Sequence, residues 1–183
     1  MLRRYALRCR VDGTEAPVGV RSDVASRLIK SRLEHDPVLS QRVVGEMTGV
    51  PPRTVMAVEN LKLKQVPLDR VHALAVGLNV DALWMATGVS AGWTGALQDW
   101  DDIVRTRLRE TRMERGVGTP ALAEQAKVAQ TWLVRIESGE VQTLDLVRLK
   151  RVAEALGLTL AQLINPIEEV EMCDGTEEGS AAE

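Results

Sequence analysis

Gln130, Thr131 and Arg135 fall within the stretch VAQTWLVRIESGE (128–140), and their side chains are of a kind that recognises rather than reacts. A glutamine amide sets a donor beside an acceptor, and a guanidinium offers a fork of donors, so either can make paired hydrogen bonds to one flat partner. Seventy-eight residues earlier, VPPRTVMAVENLK (50–62) repeats the apolar and acidic columns but puts Pro52, Arg53 and Ala57 where Gln130, Thr131 and Arg135 stand. Reactive constellations do not occur. There is no GxxxxGK[ST] phosphate loop, no HExxH pair and no GxSxG elbow; the GVG at 116–118 reads as a turn, and His35 and His72 sit in unrelated settings, His72 as a packing residue of an amphipathic helix. Cys9 and Cys173 have neither metal-ligand spacing nor a disulfide framework. The expectation is a binding protein with no catalytic residue, no metal and no cofactor.

Helices must position these groups. The chain has 183 residues, 45% hydrophobic and 27% charged, which is a globular composition. With no Phe and one Tyr, its core has to come from Leu, Val, Ala and Ile. Leu149, Val152, Ala153 and Leu156 follow the i, i+3, i+4, i+7 rule; Leu122 and Ala126 share a face, as do Leu133 and Ile136. Pro120 suits a first helical turn, Gly139 a left-handed helix end, and the next helix restarts near Thr143.

The formal charge of −3 conceals an uneven distribution. Residues 166–183 carry seven acids and no base, so the rest of the chain is +4. That acidic tail is too polar to fold alone and reads as disordered, with partner binding as the other reading. Arg3, Arg4, Arg8 and Arg10 form a basic arm (1–21) suited to phosphate or minor-groove contact. No apolar run approaches the roughly 18 residues of a membrane span, and no secretory signal is present, so a cytoplasmic location without membrane contact is expected.

The repetition extends beyond the opening stretch. At an offset of 78, Glu46 matches Glu124, Val50 matches Val128, Val58 matches Ile136 and Glu59 matches Glu137. Aligning Gly77-Leu78 with Gly157-Leu158 then suggests a slip of about two residues after the matched glutamates. Two units of five short helices follow, at 22–88 and 101–165, joined by a Gly- and Trp-containing linker (89–100). Trp93 and Trp100 are expected to dock on a domain face. The fold expected is all-α.

LRETRMERGVGTPALAEQAKVAQTWLVRIESGE with the ending ALGLTLAQL, and more weakly SQRVVGEMTGVPPRTVMAVEN with LNVDALWMATG, resemble the phage Cro/CI-type (XRE family) helix-turn-helix domain, a lambda-repressor-like fold. The motif's physics agrees: Gly45 and Ala123 are small where two helices cross, Gly49 supplies the turn, and Lys127 takes that place in the second copy. The resemblance implies a transcriptional regulator of double-stranded DNA, a repressor before an activator. It implies a phosphate contact at the start of the second helix, by Thr119 or Gln41, and base-edge contacts early in the third. Those positions are Gln130, Thr131 and Arg135, with Trp132 as a flank contact or packing residue. Glutamine can grip adenine and arginine guanine, each good pair contributing about 1–3 kcal/mol of discrimination. In the first copy Arg53 and Thr54 are the remaining polar readers, and Asn60, Lys62 and Lys64 follow on the DNA-facing turn. It further implies an ion pair between Glu137 and Arg112, and in the first copy between Glu59 and Arg32, because an insertion near His35-Asp36-Pro37 displaces the aligned Glu34.

Two arrangements follow. One chain can span two half-sites, or the segments DALWMATGV and TLAQLINPI can form a homodimer. The rival class is a protein-binding regulator, an antitoxin or antiactivator, docking a partner through Pro52, Val55, Met56 and Ala57 of the first copy or through the acidic tail.

Overall fold

The computed structural model describes residues 19–91, 100–140 and 143–165, and among them every regular element is helical. The helices are α1 (Val20–Glu34), α2 (Gln41–Thr48), α3 (Pro52–Glu59), α4 (Leu68–Gly77) and α5 (Ala82–Thr87), then α6 (Trp100–Glu114), α7 (Thr119–Gln125), α8 (Gln130–Glu137), α9 (Leu146–Ala155) and α10 (Leu160–Ile164). The second five repeat the order and nearly the lengths of the first. The basic arm to residue 18, Trp93 and the tail from residue 166 lie outside the described residues.

Short polar side chains start several of these helices by satisfying amides that have no intrahelical partner. Ser40 accepts from the Val43 N–H, Asp81 from that of Trp84, and Thr159 forms a reciprocal capping box with Gln162. Asp145 caps α9, so that helix begins at Leu146 and not near Thr143. Aliphatic side chains fill the interior: Leu28, Val44, Val55, Leu68, Leu74 and Met85 in the first half, Leu108, Leu122, Leu133, Ile136, Leu149 and Leu163 in the second.

The register differs from the one suggested by the Gly-Leu dipeptides. Helices α7, α8, α9 and α10 each begin 78 residues after α2, α3, α4 and α5, whereas α6 begins 80 after α1. The two-residue difference therefore lies between α1 and α2, around His35–Pro37. What must align is the left-handed residue after each helix, and three such pairs stand 78 apart: Gly49 with Lys127, Leu61 with Gly139, and Asn79 with Gly157. Gly77 answers a different need, since a Cβ there would come within 2.4 Å of the Thr48 methyl.

The halves join along a short reciprocal contact. Pro67 and Asp145 form an isolated antiparallel bridge; the Leu68 N–H donates to the Leu144 carbonyl at 2.8 Å, and the Leu146 N–H donates to the Val66 carbonyl at 3.0 Å. The Val66 N–H is taken up by Asp145 Oδ1 at 3.0 Å. Around this bridge α5 packs on α10 and α1 on α9. Trp100, assigned from sequence to the linker, is instead the first residue of α6. It is buried, meets His72 of α4 edge-to-face at 5.5 Å, and donates from Nε1 to the Ile164 carbonyl at 2.6 Å.

Candidate nucleic-acid interface

The apolar period of α8 determines which side chains it can offer. Leu133 and Ile136 are buried completely, which turns Gln130, Thr131, Val134 and Arg135 to solvent on the opposite face. Helix α7 crosses behind, with Ala123 buried at the close approach; the turn between them passes through Lys127 at φ +52°. In the first half, Gly45 holds the same position and a Cβ would come within 2.8 Å of Pro52 Cγ and the Val50 carbonyl.

Each exposed helix is fixed at its C-terminal end by a two-point ion pair. Arg112 on α6 donates from Nε and Nη2 to the two carboxylate oxygens of Glu137, both at 2.7 Å, and from Nη1 to the Val117 carbonyl at 3.0 Å. The hydrogen bond to Glu137 holds the Arg112 pKa above its usual value. Arg32 treats Glu59 in the same way, at 2.7 and 3.1 Å, with Nη1 on the Leu39 carbonyl at 2.8 Å. One charge and three donors thus bind α1 or α6 to the exposed helix and to the loop before α2 or α7. Both carboxylates are turned inward and spent.

The remaining residues divide by where the helices leave them. Thr119 opens α7 half-buried. Gln41 opens α2, where its amide donates to Glu59 Oε2 at 2.6 Å, so part of its donor capacity is directed inward. Arg53, Asn60, Lys62 and Lys64 are exposed, although the Asn60 amide also donates to the Met56 carbonyl at 2.8 Å. Thr54 does not fit the role expected of it. It is buried on the inner side of α3 at 8% exposure, because a helix that starts at Pro52 turns its third residue toward the core. Val55 is buried too and forms no part of an outer apolar face; the exposed apolar side chains of that region are Val43, Met47, Met56 and Leu61.

Trp132 is half-buried, with the Arg148 guanidinium 5.3 Å from its ring centroid and Arg148 Nε 3.7 Å from Asp145 Oδ2. Sequence reasoning did not single out Arg148, whose partner lies on another helix. Arg135 approaches Glu140 at 3.5 Å in an exposed pair that holds it weakly. A cleft of about 450 Å³ beside it is lined by Gln65 and Pro67 of the first half together with Trp132, Arg135, Thr143 and Arg148 of the second. This contribution of the first half to the surroundings of α8 was also missed.

Residues 104–163 match a family model described as a helix-turn-helix domain. That span runs from within α6 to within α10, so the second half of the chain is similar to a helix-turn-helix domain. Helices α1 to α5 lie outside the match. No curated protein and no solved structure matches the chain.

Proposed function

We propose that the protein is a sequence-specific regulator of transcription, of the Cro/CI type, with tandem helix-turn-helix domains at 20–88 and 100–165 that enter the major groove of double-stranded DNA. The observation that carries this reading is helix α8: Gln130, Thr131 and Arg135 point outward together on a rod locked from behind by the Arg112–Glu137 pair. A helix about 10–12 Å across fits a major groove of similar width. Thr119, Lys62, Lys64, Asn60, Arg53 and the free capacity of Gln41 supply backbone contacts, which position without specifying. The protein acts by binding, in the cytoplasm, without catalysis or cofactor; no helix among the described residues is long and apolar enough to cross a membrane. A bound chain represses most simply by occupying its site.

A second reading, docking of a protein through the first unit, is favoured by one feature: Val43, Met47, Met56 and Leu61 expose apolar surface around α2 and α3. A salt titration separates the two. DNA reading requires strong preference for a selected duplex over random duplex, with log K falling linearly in log salt. Loss of both signatures leaves only the docking reading.

A further inference from the structure

The bonds that join the two halves are reciprocal. Leu68 donates to Leu144 and Leu146 donates to Val66; residues 66 and 144 stand 78 apart, as do 68 and 146, and Pro67 faces its own counterpart Asp145. That is the pattern of a twofold axis passing between Pro67 and Asp145, in which residue i touches j while the counterpart of i touches the counterpart of j. The surrounding contacts obey the same exchange. Helix α5 meets its counterpart α10, and the packing of α1 on α9 has a smaller counterpart in Trp100 of α6, which meets His72 of α4. The helices of the two segments assigned to a homodimer, α5 and α10, therefore pack on each other inside one chain.

The same operation carries α3 onto α8, which begins 78 residues later. Helix α8 flanks the axis, since the cleft beside Trp132 and Arg135 is closed on its other side by Gln65 and Pro67. The rotation preserves direction along its axis, so two exposed helices flanking it can face one duplex together. Their side chains are not equivalent: Pro52, Arg53 and Ala57 answer to Gln130, Thr131 and Arg135.

Resting on the DNA reading above, we infer that the chain is its own dimer: one molecule holds α3 and α8 at fixed separation over neighbouring major-groove turns of a single duplex. Its site is non-palindromic, with one half read closely by α8 and the other gripped by α3 mainly through phosphates. A loose tether would give two halves of adjustable spacing, whereas the bridged junction gives one spacing, about 10 base pairs between half-site centres.

The test uses the full chain and a duplex selected from random sequence. Sedimentation should find one chain per duplex, and footprinting should find two protected segments about one helical turn apart with unlike sequences. Inserting about five base pairs between them should lower affinity about tenfold or more, to the level of the isolated α8 half-site, and a ten-pair insertion should not restore it. Two chains on a palindrome, a single protected segment, or even tolerance of every insertion overturns the intramolecular dimer while leaving sequence-specific binding in place. A selection that enriches no sequence overturns the DNA reading on which the inference stands.

Discussion

Arg112 holds Glu137 through two 2.7 Å hydrogen bonds that connect the long helix α6 to the end of α8, with both side chains largely shielded from solvent. Removing one partner strands the other charge at a partly buried site. Arg112→Ala or Glu137→Ala is expected to destabilise the protein by about 2–3 kcal/mol, read as a lower urea midpoint with little change in slope. Because the pair orients α8 without facing outward, these variants should also weaken DNA binding. Unchanged stability in both would remove the pair's assigned role as a brace.

Lys127 at φ +52° and Leu61 at φ +57° stand where the other half has glycine, and a side chain in that conformation carries a steric cost of about 1–2 kcal/mol. Part of that cost is offset by the greater freedom of glycine in the unfolded chain. Lys127→Gly and Leu61→Gly should each raise stability by about 0.5–1 kcal/mol, while Lys127→Ala should leave it near its starting value. Thermal unfolding of the three variants checks this.

Asp101 opens the interface between α6 and α4. Burial pushes its pKa from the usual 3.8 to about 6; Arg105 opposes the rise, and Asp69 and Asp102 add to it. The folded state therefore holds this proton more tightly than the unfolded chain. Its contribution to stability is greatest below about pH 4, declines as pH rises to about 6, and is gone at neutrality. Asp101→Asn is expected to stabilise the protein at pH 7, on the order of 1 kcal/mol, with no gain at pH 4. Equal gains at both values would contradict the shift.

Lys62 and Lys64 are exposed after α3 and are assigned to phosphates. Replacing either by Ala should weaken binding to all sequences alike and reduce the slope of log K against log salt by about 0.9. A change in sequence preference would place that lysine among the readers instead.

The helical order was legible from apolar spacing and from end residues such as Pro120 and Gly139, because these requirements are local. The shift of the first ion pair to Arg32 was legible as well, since an insertion near Pro37 moves the column by two residues. The register of the last two helices in each half was not: Gly77-Leu78 and Gly157-Leu158 look alike, but the physical requirement is a left-handed residue, which Asn79 meets as well as Gly157 does. Thr54 was placed outward from its polarity alone, whereas the helix phase set by Pro52 turns it inward. The outward set on α8 came from the resemblance to the Cro/CI-type domain, and the burial of Leu133 and Ile136 on the opposite side agrees with it. The junction at Pro67 and Asp145 could not be read from periodicity, because backbone pairing between distant segments leaves no periodic trace.

If α8 reads bases, loss of the Arg135 guanidinium must alter which duplexes the protein prefers. The wild-type chain and Arg135→Ala would be titrated, at one salt concentration, against the selected duplex and a panel in which each base pair is changed in turn. Arg135→Ala should lose discrimination at one base pair, by about 1–3 kcal/mol, and keep its preferences elsewhere. A variant with the wild-type pattern at every position would contradict it.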